Sequence, residues 1–359
     1  MVKCMGEIKI RTLTPLWTGD VDRECKSIKE TGIIGSLRWW YEALVRGLGG
    51  YACDPTSDRK CELKQDKFNE AIKSGKSIQG ALDEQICPAC QLFGCTGWSR
   101  KFRIKISDDT SFESGIGRIE VRSRSYRDRQ GRSKIPKWYF PSPGRRGHLD
   151  LEITPLRFNE SELNALKLTL KVMEEWCAIG AKTHLGYGVF QLIKGDGERY
   201  ELTPEEVESA LSLFESVRSN ITSNLPDLKW FFFSKVYLDD SFTNEKTRII
   251  KSLELRYDLR RLFGRDRNLR YDIMGTVKGE RRGSKIYISR VYQIQDRDEM
   301  RIWGWIPRVT SSRDSIIEKI KEMICEWGNI TWREFNSDRD DKQNTNDISK
   351  FIKENLLGG

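Results

Sequence analysis

Two amphipathic helical stripes constrain this chain more than any other feature. Ile33, Leu37, Trp40, Leu44 and Leu48 recur at steps of four, three, four and four residues, while Arg38, Glu42 and Arg46 point away from that line. Leu163, Leu166, Leu170, Met173 and Cys177 repeat the pattern, and Asn159 and Glu162 open it with capping-box spacing. Around the stripes lie segments of period two. Ile8 and Ile10 share one face of a first strand; Phe102, Ile104 and Ile106 alternate with Lys101, Arg103 and Lys105; Leu149, Leu151 and Ile153 follow, then Val189 to Ile193. A helix with one apolar stripe must bury it against a neighbouring layer. The order strand, helix, strand, strand, helix, strand therefore predicts an α+β, ferredoxin-like split motif.

Two long segments interrupt the motif and read as insertions, a cysteine-rich one at about 50–97 and a basic one at about 116–147. The second has the length of a mobile hairpin excursion. Thr203, Pro204 and Glu206 begin a further helix with cap chemistry. After a boundary at "NLPDLKW" the rhythm returns more loosely. "WFFFSKVYL" reads as a buried strand, 246–263 as a helix, "KIYISRVYQI" and "MRIWGWI" as strands, and Ser312 to Trp327 as an amphipathic helix. The organisation expected is two ferredoxin-like (RRM-like) domains in tandem: 1–222 with both insertions, 223–335, and a polar loop and tail at 336–359. "NSDRDDKQNTND" (336–347) is nearly free of apolar residues and reads as a loop or as disordered.

No run approaches the ~20 apolar residues of a membrane span. The first residues enter a strand pattern without a secretory apolar run, so a cytoplasmic location is expected. The chain carries 62 Lys+Arg against 53 Asp+Glu, and the excess is concentrated. Arg118 to Arg146 holds ten basic and two acidic residues; Arg256 to Arg290 holds eleven and four. Such runs are commonly solvated faces. Here Tyr126, Trp138, Tyr139, Tyr257 and Tyr271 interleave with them, the combination that holds phosphates and stacks bases.

Local chemistry marks three places. "CAIGAKTHLGYGVFQL" (177–192) packs Gly180, Gly186 and Gly188 around Lys182, Thr183 and His184. Successive amides in such a turn can cradle an anion; an ordinary tight turn with a solvent-facing lysine fits equally. The turn precedes a strand, so it is neither a P-loop nor a dinucleotide fingerprint. "TGIIGSLRWW" (31–40) starts a helix, where free amides favour phosphate and Arg38 could reach the same anion. Trp39 suits base stacking or packing against a neighbouring domain. Cys87 and Cys90 form C-P-A-C, half of a zinc knuckle, with Cys53 and Cys61 upstream at a spacing of eight, wider than zinc ribbons prefer. A structural zinc, free thiols and a disulfide all remain open for the nine cysteines. Catalytic chemistry is poorly supported: His148 and His184 are the only histidines, and Asp20 and Asp22 lie in the loop after the first strand.

Taken together, "TGIIGSLRWW", "CPACQLFG" (87–94), "GAKTHLGYGVF" (180–190) and "RLFGRDRNLRYDIMGTVKGERRGSKIYISRVYQI" (261–294) resemble the RAMP superfamily of CRISPR effector proteins. Within it they resemble the large end-capping subunits of type III-B (Cmr) complexes. That resemblance implies a non-catalytic subunit that holds guide RNA (crRNA) and target RNA near the 3′ end of the guide, among other Cmr RAMP subunits, with no small-molecule substrate and no required cofactor; a structural zinc stays open on the cysteine spacing alone. It implies RNA contacts by Arg38, Trp39, Gly180, Lys182, His184, Gly186, Gly188, Arg260, Arg261, Arg265, Arg270, Arg281 and Arg282. The rival expectation is a RAMP endoribonuclease that matures guide RNA through His184, His148 or the Asp20/Asp22 pair.

Overall fold

The structure is a computed structural model. It describes residues 8–358 apart from 114–115, 129, 141–142, 158, 217–223, 240–241, 243, 265, 278, 308–309 and 311. The expected order is present: β1 (Ile8–Thr12), α1 (Glu30–Gly47), β2 (Phe102–Phe112), β3 (Arg145–Pro155), α2 (Glu160–Trp176) and β4 (Phe190–Ile193). The strands form an antiparallel sheet ordered β2-β3-β1-β4, the ferredoxin-like arrangement. Ile10 lies opposite Leu149 and Leu192, and Ile106 opposite Leu151, which puts the apolar positions on one face. Both helical stripes bury against that face. The capping box closes as expected: Asn159 Oδ1 accepts from the Glu162 amide at 2.8 Å, and Glu162 Oε2 from the Asn159 amide at 3.0 Å. The open face presents Lys9, Arg11, Arg103, Lys105, His148, Asp150 and Glu152, paired across strands. It lacks the aromatic rings with which RRM sheets stack bases.

After α3 (Pro204–Ser216) the pattern repeats with β5 (Phe231–Leu238), α4 (Glu245–Leu262), α5 (Arg267–Met274), β6 (Ile286–Ile288), β7 (Tyr292–Ile294), β8 (Arg297–Trp305), α6 (Arg313–Cys325) and β9 (Asn329–Glu334). The second sheet is ordered β6-β8-β5-β9, the same topology, with β7 also on β8. "KIYISRVYQI" is thus two strands, broken where the Arg290 amide turns out of the ladder toward the Gly186 carbonyl at 3.2 Å. Helix α4 carries two apolar stripes. Ile249 and Leu253 join the first half's core, whereas Leu255 and Leu259 join the second's. It is a wedge between the halves, which is why it shows no single amphipathic face.

The polar segment 336–347 is a loop, and its acidic residues have a local task. Asp341 accepts from the Trp332 amide and Asp340 from the Glu334 amide at 2.8 Å, so carboxylates cover the open edge of β9. The tail then returns to the first half. Phe351, Ile352 and Leu356 are buried in its core, and Trp176 Nε1 donates to the Leu356 carbonyl at 2.8 Å. Phe351→Ala is expected to cost about 3–5 kcal/mol, read as a lower denaturant midpoint. The basic insertion is a hairpin, Gly117–Glu120 against Lys137–Phe140. It does not project freely: Arg124 clasps Asp258 of α4 through two of its guanidinium nitrogens at 2.8 and 2.7 Å, and Ile119 and Val121 are buried. No helix among the described residues is long and apolar enough to cross a membrane.

Candidate nucleic-acid interface and metal centre

The glycines of 180–188 turn out to serve close packing. A Cβ on Gly186 would stand 2.5 Å from the Arg290 amide nitrogen, and one on Gly188 2.0 Å from the Ile179 carbonyl oxygen. These residues seat the loop between β1 and the second half. What the loop offers outward is its tip. Lys182 adopts the left-handed conformation at φ 56° and Thr183–Leu185 form a single 3₁₀ turn. Among the described residues the amides of Lys182, Thr183 and His184 have no acceptor. A left-handed residue followed by right-handed ones points such amides into one concavity, an anion nest. The Lys182 ammonium stands 3.7 Å over the Trp17 ring, half-buried, and that burial lowers its pKa. Gly186→Ala combines a positive φ of 82° with that clash, and is expected to unseat the tip and lower the melting temperature.

Beneath the tip runs a row of arginines that motif reading only half found. Arg256 of α4 donates to the His184 carbonyl, and Arg260 follows one turn later on the same face, 3.5 Å from the Gly275 carbonyl. Arg270 of α5 comes next, its Nε buried without a hydrogen-bond partner. Among the described residues none of the three has a carboxylate within ion-pair distance. Arg256 is buried, and burial first and Arg260 second push its pKa down to about 10, low for an arginine although still protonated. Arg260 is lowered too, by burial and then by Arg270. Tyr271 lies 5.1 Å from Arg267 and 5.6 Å from Arg270, and Tyr257 is half-buried on α4 beside Arg256. Packing adjacent cations without an acidic partner raises the energy of the unbound protein. An external polyanion would relieve it. Arg256 escaped the motif reading because it sits among core positions of a helix with no obvious polar face.

His184 retains solvent contact yet sits in crowded surroundings. Burial, then Arg256, then Lys182, hold its imidazole down to about 4, so it is neutral at pH 7. The unfolded chain, near the ordinary 6.5, takes up the proton more readily. Stability from this group is therefore complete above about pH 6.5 and lost as pH falls toward 4. His184→Gln is expected to flatten the melting temperature against pH across that window.

Several expected contacts lie elsewhere. Arg38 is turned into the protein. Its Nε pairs with Glu42 at 2.8 Å, Nη1 reaches the Gly94 carbonyl at 2.9 Å, and Nη2 the Cys90 sulfur at 3.2 Å. Every guanidinium nitrogen is committed inside the protein. Trp39 sets its ring edge-on to Trp40 and to Phe231 of β5, at 4.9 and 6.0 Å, packing one half on the other. Arg261 faces Asp258, toward the hairpin. Arg281 and Arg282 are exposed on the turn after α5, Arg282 paired with Glu280 at 2.9 Å. Arg265 lies outside the described residues. Asp20 accepts its own loop's amides from Asp22 and Glu24, and Asp22 pairs with Lys26. His148 stands on the open sheet face, opposite Arg11.

The four cysteines converge. The sulfurs of Cys53, Cys61, Cys87 and Cys90 all lie within 4.8 Å of one another, Cys53 and Cys90 at 3.5 Å. A tetrahedral zinc with Zn–S bonds of ~2.3 Å requires sulfurs about 3.8 Å apart. The surroundings suit thiolates: the Cys87 amide donates to Cys61 Sγ at 3.3 Å and Arg38 to Cys90 Sγ. This cluster could hold a zinc ion. The spacing of eight is taken up by a turn in which Asp54 accepts from the Thr56 amide. The eight described cysteines are all free, so among them no disulfide forms.

A sequence model of the RAMP superfamily matches residues 9–191, just over half of the chain. The chain belongs to the RAMP superfamily. The matched RAMP segment runs from β1 into β4 and includes the cysteine cluster and the loop tip. The crystal structure of apo Cmr1 from Pyrococcus furiosus is similar at 16% identity and a TM-score of 0.47, over 91% of this chain and 97% of that one. No curated protein matches the chain.

Proposed function

We propose that this RAMP protein is an RNA-binding subunit of a type III-B CRISPR complex, holding guide and target RNA near the 3′ end of the guide. The observation that carries RNA binding is the row Arg256–Arg260–Arg270, cations without acidic partners among the described residues, beside a nest of amides with no acceptor among them. Lys182 and the tip amides would take one phosphate and the arginine row those that follow, with neutral His184 between them and the exposed Arg281 and Arg282 beyond. Such contacts grip backbone and leave sequence to guide–target pairing. The complex and the position on the guide rest on the motif resemblance in 31–40 and 261–294. The test is fluorescence anisotropy with unrelated single-stranded RNAs across a salt series. Lys182→Ala should weaken all of them alike, about fourfold at ~0.15 M salt for one lost contact. Discrimination lost at a single base would contradict backbone binding. Metal-independent cleavage of labelled precursor RNA that disappears in His184→Ala would favour the endoribonuclease.

We also propose that Cys53, Cys61, Cys87 and Cys90 hold one structural zinc. Elemental analysis of the purified protein should give one zinc per chain, and none in Cys87→Ser.

A further inference from the structure

The cysteine cluster is joined to the linker between the two halves by a buried chain of charges. From Cys90, Arg38 leads to Glu42 at 2.8 Å, and the other Glu42 oxygen lies 3.6 Å from Arg46. Arg46 is buried and uses all three of its nitrogens. Nε donates to the Ala52 carbonyl at 3.1 Å, Nη2 to the Cys53 carbonyl at 3.1 Å, and Nη1 to the Pro226 carbonyl at 2.9 Å. One arginine thus holds a zinc-ligand residue with one end of its fork and the linker with the other. The linker is also pressed against the last turn of α1, where a Cβ on Gly47 would stand 2.5 Å from that of Leu228. Directly after it, Phe231 packs on Trp39 and Trp40.

This matters because the RNA surface is divided. Lys182 and the tip amides come from the first half, and Arg256, Arg260 and Arg270 from the second. Their spacing is set by how the second half, through Phe231 of β5, sits on Trp39 and Trp40 of α1. Resting on the zinc reading above, we propose that the cysteine cluster is a clamp on the register of the two halves. Metal at Cys53, Cys61, Cys87 and Cys90 stiffens α1 and the 224–230 linker through Arg38, Glu42 and Arg46. It thereby keeps both contributions to the RNA surface aligned, without touching RNA. A thiolate held by zinc keeps its charge and position for Arg38, and the Cys53 carbonyl stays in place for Arg46. Release of the metal frees both anchors while leaving Lys182 and the arginine row chemically unchanged.

The test is hydrogen–deuterium exchange on the full chain, zinc-loaded and after chelation, with metal content measured on the same samples. Chelation is expected to speed exchange of the 224–230 amides at least tenfold, to leave β8 protected, and to weaken binding of single-stranded RNA several-fold. Glu42→Gln, which cuts the relay and spares the cysteines, should loosen the linker in the zinc-loaded protein in the same way. A linker unchanged by verified zinc removal overturns the clamp, as does a loosened linker with RNA affinity unchanged. If no metal is found, the zinc reading fails by itself and Glu42→Gln then judges the relay: faster linker exchange supports it, unchanged exchange overturns it. Should Glu42→Gln not fold, Arg46→Lys is read in the same way, since it keeps the charge and loses the fork.

Discussion

Replacing Arg256, Arg260 and Arg270 together by glutamine is expected to weaken RNA binding about 50-fold at ~0.15 M salt. Counterion release sets the size of the loss, with about 0.7 ion freed per contact to a single strand. At that salt concentration each contact multiplies affinity by about four, and three compound to roughly 50. The plot of log affinity against log salt should become shallower by about two units. Stability should change little, because the loss of the bonds from Arg256 to the His184 carbonyl and from Arg260 to the Gly275 carbonyl is offset by removing buried cations that have no acidic partner among the described residues. Loss of affinity without loss of folding separates a binding role from a structural one. Unchanged affinity with an unchanged salt slope would remove these arginines from the RNA surface.

Stripping zinc from the cysteine cluster is expected to lower the melting temperature by about 10 °C. A ligand held ~1,000-fold above its dissociation constant stabilises the native state by about 4 kcal/mol. In a domain of this size each kcal/mol moves the midpoint by about 2–4 °C. Four thiols packed within 4.8 Å without a cation form no comparable set of interactions. Re-adding zinc should restore the transition, whereas magnesium should not, because it takes oxygen ligands. A midpoint indifferent to chelation would make the cluster a group of buried thiols.

Regular elements were legible wherever one residue's role decided its place. The stripes of α1 and α2 and the alternation of β1 to β3 each bury one face, and such faces leave a period in the chain. Helix α4 left none, because it packs against two cores at once. The seat of the tail left no period either, for a related reason. Three buried side chains, Phe351, Ile352 and Leu356, are too few to make a pattern, and their partner Trp176 is far away in sequence.

The candidate site divides along the same line. Glycines, a lysine and paired cysteines are types whose chemistry is local, so Lys182 and the cysteine set could be named in advance. An arginine's role depends on what lies at the end of a long side chain. Arg38 and Arg256 look alike in sequence, each on a helix among apolar neighbours. Arg38 closes on Glu42, Gly94 and Cys90, whereas Arg256 meets the loop tip with no acid in reach.

By itself, then, the order of residues determined the two sheets, the helices that cover the first of them and the four sulfurs that can share a metal. Those follow from periodicity and from side-chain chemistry, which act over a few residues. Only the tertiary structure decided which cations remain uncompensated. Charge compensation depends on distances across the seam between the halves, and residues far apart in the chain set those distances.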